Sequence, residues 1–171
     1  GVKSTVRKFI ALRAFNQHFL KSPDKTTLNY DGTYSNSRGL LSSFTFFKQN
    51  FFRTSYIYGF GRTEDVPVGF SFSLIGGYSI RKDSLYDQSR TRPYYGFEVQ
   101  RSKYNDRGFY SFYTLKLGGY RYKHQWEDFD LLVNVDHFSR LRSMGSKWMQ
   151  RFFVSGGVTK QFKPVLEQAL L

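Results

Sequence analysis

The chain has no cysteine. Disulfides, thiol chemistry and cysteine-based zinc sites are therefore excluded, and the redox compartment is left open. It also lacks any apolar run of about 18 residues, so no segment could cross a bilayer as a helix. Its first residues do not show the charged-then-apolar order of a signal peptide, so an exported chain would carry its signal elsewhere or have lost it. Histidine is scarce: His18, His124 and His137 are far apart and have no metal-ligand spacing, so they read as interfacial or lumenal residues. Phosphate-binding glycine loops, nucleophile elbows and carboxylate dyads are missing too. Acidic residues are outnumbered by basic ones, 13 to 26, which gives a net charge of +13. Such a charge suits anionic partners or a solvated basic surface.

Aromatic residues are abundant. Nineteen Phe, 13 Tyr and 2 Trp make up 20% of 171 residues, yet the mean hydropathy is negative. Strands with one apolar and one wet face reconcile the two. The run Phe70 to Ile80 has that form: Phe70, Phe72, Leu74, Gly76, Tyr78 and Ile80 alternate with Ser71, Ser73, Ile75, Gly77 and Ser79. A helix would scatter the serines around its cylinder, and Gly76-Gly77 would cost about 1 kcal/mol each relative to Ala.

The length suits one domain, residues 1–171, with residues 1–25 its least defined part. Val6 to Leu20 fits a short basic helix or an irregular strand. Ser22-Pro23-Asp24-Lys25 and Asn36 to Gly39 read as turns, with a weak strand from Thr26 to Ser35 between them. Leu41 to Phe52 and Arg53 to Phe60 read as β-prone runs whose doubled rings, Phe46-Phe47 and Phe51-Phe52, imply a bulge or a crowded contact. A compact charged turn is expected at Arg62, Thr63, Glu64, Asp65 and Pro67, because Pro67 fixes φ and removes a donor. Arg81 to Arg92 is almost wholly polar and reads as a solvent loop. Asn105-Asp106-Arg107-Gly108 is a hairpin signal. Glu127, Asp128 and Asp130 read as a wet rim after Trp126, and Ser139 to Lys147 as a polar connection. The expected fold is all-β: an antiparallel meander of at least five strands, forming a transmembrane β-barrel or a fragment of a larger one.

Periodicity does not say which face meets water. On the membrane reading, Glu98, Lys116, Asp130, Asn134, Asp136 and Arg151 face a lumen. Phe70, Phe72, Leu74, Phe97, Val99, Leu115, Leu117, Leu131, Val133, Val135, Phe152 and Val154 then face lipid. In a soluble barrel the two roles exchange. Aromatic residues near strand ends, among them Tyr78, Tyr95, Trp126 and Trp148, favour the membrane reading, since such rings suit bilayer interfaces. Strands of roughly 9–11 residues are long enough to cross when tilted.

The run Tyr58-Gly59-Phe60-Gly61-Arg62-Thr63-Glu64-Asp65-Val66-Pro67-Val68-Gly69 resembles a segment of outer-membrane barrels of Bacteroidetes-type bacteria, in or near the Omp85 surface-antigen superfamily of the BamA/TamA kind. Arg151-Phe152-Phe153-Val154-Ser155-Gly156-Gly157-Val158 resembles a late strand of such barrels, and the likeness covers roughly Leu41 to Phe162. It implies an outer-membrane barrel in a Gram-negative envelope. The sequence lacks the Val-Arg-Gly-Phe/Tyr signature of lumenal insertase loops, a preceding POTRA-like module and a terminal aromatic residue. Insertase activity is therefore not implied, and the chain is expected to be part of a larger barrel. The expected role is structural, assembly or transport, without catalysis or cofactor. Expected partners are membrane lipids, lipopolysaccharide and other envelope proteins, with nucleic acid disfavoured. The alternatives are a soluble basic β-barrel binding nucleic acid or an apolar ligand, and a passive outer-membrane pore.

Overall fold

The computed structural model describes residues 5–20, 35–57, 61–83 and 88–163. They form nine strands: β1 (Arg7–Gln17), β2 (Ser37–Ser55), β3 (Thr63–Asp83), β4 (Gln88–Tyr104), β5 (Tyr110–Tyr122), β6 (Gln125–Phe138), β7 (Arg142–Met144), β8 (Trp148–Gln150) and β9 (Phe153–Phe162). Seven make one antiparallel meander in the order β1-β2-β3-β4-β5-β6-β9, and β7-β8 is a separate small hairpin. The fold is all-β, with no helix among the described residues. β1 and β9 are the sheet's two edges, and no pairing between them is found among the described residues.

Registers run across the whole sheet and assign every strand residue to a face. One row passes through Phe44, Leu74, Phe97, Leu117 and Leu131, and the next through Phe46, Phe72, Val99, Leu115 and Val133. Both rows are wholly apolar from β2 to β6, and cross-strand pairs of this kind stabilise a sheet by up to about 1 kcal/mol each. Ser71, Gln100, Thr114 and Asn134 occupy a row of the opposite face. That second face is concave, because side chains two strands apart meet across it, as Arg90 and Glu127 do.

Burial runs opposite to that of a soluble protein. Thr45, Ser79, Arg92 and Thr114, all on the concave face, are among the most buried side chains. Leu74, Tyr78, Tyr95, Val133 and Val154, all on the convex face, are exposed. Nothing among the described residues packs over them.

Four sequence expectations are corrected. The charged turn is displaced: Thr63, Glu64, Asp65 and Pro67 lie within β3, with Phe51 opposite Pro67 and Arg53 opposite Asp65, and only Arg62 remains in the connection. The described residues of Arg81 to Arg92, 81–83 and 88–92, are not a loop but the end of β3 and the start of β4, paired from Arg81↔Arg90 to Asp83↔Gln88. Arg81, Arg90 and Arg92 are turned to the concave face, where polarity is the rule, and Lys82 alternates to the other side, where it is exposed. Gly39, read as part of a turn, pairs with both Phe15 and Ser79. Glu127 and Asp128 belong to β6 and hold ion pairs instead of forming a wet rim. The N-terminal stretch resolves as strand β1, and the two β-prone runs merge into the 19 residues of β2. The weak strand read at Thr26 to Ser35 lies, except for Ser35, outside the described residues, as does Tyr58 to Phe60 of the signature run.

The doubled rings mark a change of face. From Phe70 to Ile80 the even-numbered residues of β3 look outward, whereas Glu64, Val66 and Val68 look inward. The reversal falls at Gly69, whose φ of +151° is accessible to glycine alone. A Cβ there would lie 1.9 Å from the Lys48 carbonyl oxygen. β2 reverses alongside, so that Phe51 is exposed and Phe52 stacks on Tyr104 at 3.6 Å between centroids. Beyond Gly69 the β2–β3 hairpin thus bends over the end of the concave face. Val66, Tyr110 and Phe138 form a small apolar core there, flanked by Ile57, Val68, Tyr104 and Phe112.

Candidate functional site

The candidate site is the concave face. At one end β4 presents Arg90 and Arg92 toward Glu127 and Asp128 of β6, across the intervening β5. Arg90 Nη2 donates to Glu127 Oε1 at 2.6 Å. Arg92 Nη1 donates to Asp128 Oδ2 at 2.7 Å and to Glu127 Oε2 at 3.3 Å. Each guanidinium also lies 4.3 Å from a tyrosine ring, Arg90 over Tyr122 and Arg92 over Tyr120. Their buried Nε atoms take no hydrogen-bond acceptor, and the ring faces are the favourable surface left to them.

Local backbone irregularity builds this cluster. The β5–β6 register slips between Gly118 and Tyr120, and Asp128 takes a left-handed φ of 47°. The slip lets Glu127 and Asp128 aim at the same arginine, which strict alternation forbids. Glycines supply the space: a Cβ on Gly118 would lie 2.2 Å from the Tyr94 hydroxyl, and one on Gly119 would lie 2.9 Å from the Phe129 ring.

Neutral and mixed-charge contacts cover the middle of the face. Lys116 Nζ is 3.2 Å from Glu98 Oε1, and Gln100 donates to the same oxygen. Asn134 Nδ2 donates to Asp136 Oδ2 at 2.7 Å, and the Ser155 hydroxyl binds the other Asp136 oxygen. Thr45 and Ser73 share a hydroxyl contact of 2.8 Å. A trough of about 490 Å³ runs beside them, walled by Phe9, Phe47 and Phe112 and floored by Ser71, Ser73 and Gln100.

Glu98, Lys116, Asp130, Asn134 and Asp136 all share this face. Arg151 lies between β8 and β9 and turns inward, its guanidinium 5.1 Å from the Phe138 ring and 3.4 Å from Thr54 Oγ1. Burial lowers its pKa, while Tyr104 and Glu64 act in the opposite direction. Phe70, Phe72, Leu74, Phe97, Val99, Leu115, Leu117, Leu131, Val133, Val135 and Val154 share the convex face, and Phe152 is exposed just before β9. Arg90 and Arg92 were missed as site residues. Their spacing of two, continued by Tyr94, was the available signal.

The convex face has borders. On one side the apolar rows give way to Lys48, Phe70, Arg101 and Tyr113. On the other come Tyr78, Tyr95, Arg121 and Trp126, with Tyr95 edge-on to Trp126 at 6.3 Å and Arg121 5.8 Å from its ring. His137 on this face meets the Ser111 hydroxyl at 2.8 Å and stacks on Phe109. No metal-binding group of three or more His, Cys, Asp or Glu occurs among the described residues. Comparison with protein-family models, with curated proteins and with solved structures finds no match.

Proposed function

We propose that this chain forms the wall of an outer-membrane β-barrel of surface-antigen type, with a structural, assembly or transport role and no catalysis. The observation that carries the reading is the convex face. Two apolar rows, five strands wide, are bordered on one side by Lys48, Arg101 and Tyr113 and on the other by Tyr78, Tyr95, Arg121 and Trp126. Hydrocarbon accepts such a belt, and the two interfaces accept its borders. In water the same face would be a large sticky patch. The concave face then encloses water and is lined by Glu98 paired with Lys116 and by Asp136 held by Asn134 and Ser155. Closure into a full barrel and kinship with the Omp85 superfamily are parts of this proposal.

The test is reconstitution of the full chain into lipid vesicles, followed by gel migration with and without boiling. Faster migration of the unboiled sample, together with protease protection of the strands, is the expected result. A chain that stays monomeric in detergent-free buffer, with Leu74 and Val133 shielded from a soluble apolar probe, would overturn the reading.

A further inference from the structure

The connection between β6 and β9, residues 139–152, is not used by the barrel wall. Its base is pinned: Ser139 N donates to the Phe152 carbonyl at 2.9 Å, and Phe152 N donates to Ser139 Oγ at 3.0 Å. Arg151 turns inward from this base to Thr54 and Phe138. The rest projects as the β7–β8 hairpin, turning at Gly145 with a φ of +76°. Its composition is one-sided. Residues 139–152 carry Arg140, Arg142, Lys147 and Arg151 and no carboxylate. Arg140, Arg142 and Lys147 are all exposed, and none has a carboxylate partner among the described residues.

The hairpin's apolar residues are exposed as well. Trp148 is 77% exposed, Met149 59% and Met144 57%. Met144 and Trp148 are direct cross-strand partners, and Arg142, two residues from Met144, shares their face. A tryptophan this exposed gains nothing from the fold, although its indole has an apolar body and one donor suited to a headgroup layer. Unpaired cations beside it complete a surface complementary to lipid phosphates.

We propose that the β7–β8 hairpin is an anchor for the phosphates of anionic lipid headgroups, with Arg140, Arg142 and Lys147 making the charge contact and Trp148 and Met144 entering the interface. This rests on the membrane-barrel reading, and it assigns that barrel a specific lipid contact at one rim. Free inorganic phosphate offers no apolar layer to the ring. Nucleic acid would require stacking along an extended groove, whereas this hairpin offers one indole on a protruding tip.

The test uses the full chain carrying Trp126→Phe, so that Trp148 is the sole indole. It is reconstituted into phosphatidylcholine vesicles and into mixed phosphatidylglycerol–phosphatidylcholine vesicles. The expected result is a larger blue shift of Trp148 emission and stronger quenching by headgroup-proximal bromolipid in the anionic vesicles. Replacing Arg140, Arg142 and Lys147 together by Gln should abolish that difference and leave heat-modifiable migration unchanged. In surface-binding assays each cation should contribute roughly fivefold in affinity. Equal emission in both lipids, in a chain that inserts normally, would sink the anchor and leave the barrel standing. Salt-reversible attachment to anionic vesicles alone, without insertion, would uphold the anchor and remove the barrel. An equal shift produced by a single-stranded oligonucleotide, or one that grows with protein concentration, overturns the anchor in favour of nucleic acid or a second copy.

Discussion

The two parts of β3 on either side of Gly69 obey opposite solvent rules. Below it, from Phe70 to Ile80, the inward side chains are Ser71, Ser73, Ile75 and Ser79, three of them polar, and the outward ones include Phe70, Leu74 and Tyr78. Above it, Val66 is fully buried against Tyr110 and Phe138, while Thr63 and Asp65 look outward. The upper part is built as any protein in water is built, and the lower part is inverted. One strand carries both burial patterns, and the glycine is where its faces exchange. On the proposed reading the tip stands clear of the bilayer and caps the concave face, and hydrocarbon begins near Phe70. The 21 residues of β3 extend far beyond the roughly 9–11 a tilted crossing needs, which leaves length for such a tip.

The strongest way to break this contrast is Gly69→Ala. A methyl group there meets the Lys48 carbonyl oxygen at 1.9 Å and requires a φ of +151° from an L-residue. Backbone strain and overpacking together cost on the order of 4 kcal/mol. The expected outcome in urea titration of the reconstituted protein is a much lower midpoint. Easier proteolysis between Ile57 and Val66 should accompany it, because the small core loses its placement. A variant as stable as the parent would mean that the reversal is not set by this glycine.

Alternation made the lower region readable. In Phe70 to Ile80 and Phe129 to Asp136 the two faces separate residue by residue, and the shared face of Glu98, Lys116, Asn134 and Asp136 follows directly. The upper region was harder because its information is distributed. Pro67 looks like a turn closer, yet it sits in the strand opposite Phe51 and its carbonyl accepts from the Tyr110 hydroxyl at 2.9 Å, 43 residues away. Only Phe51-Phe52 hinted that the faces exchange. Polarity misled at Arg81 to Arg92, since this sheet buries Arg92 on its concave face. Pairing of Arg92 with Asp128, 36 residues on, depends on a register slip that no local pattern announces.

Leu74→Arg probes the lower region from outside. Leu74 lies in the middle of an apolar row and is 49% exposed. In a bilayer an arginine near mid-depth costs about 2–4 kcal/mol, whereas the same change on a water-facing strand is usually within about 0.5 kcal/mol. The upper region gives the counterpart, because Val66→Ala should cost roughly 2 kcal/mol in any solvent by opening a cavity. Urea midpoints in vesicles and in detergent-free buffer separate the two. Loss at Val66 with none at Leu74 would mean that water, not lipid, covers the convex face.

The smallest expected effect is also the sharpest local check. Gly76 and Gly77 are neighbours on opposite faces. A Cβ on Gly77 would lie 2.2 Å from the Leu40 carbonyl oxygen, while a Cβ on Gly76 meets nothing within 4 Å. Gly76→Ala removes freedom from the unfolded chain without strain in the strand, so it should raise stability by about 0.5 kcal/mol. Its methyl group would point into the space that the proposed reading fills with acyl chains, which yield to it. A packed protein layer over the same spot would not yield, and the same substitution would then lower the urea midpoint. The sign of this one change, measured in the reconstituted protein, tells a fluid cover from a rigid one at the edge of the belt, where Gly76 lies opposite Tyr95.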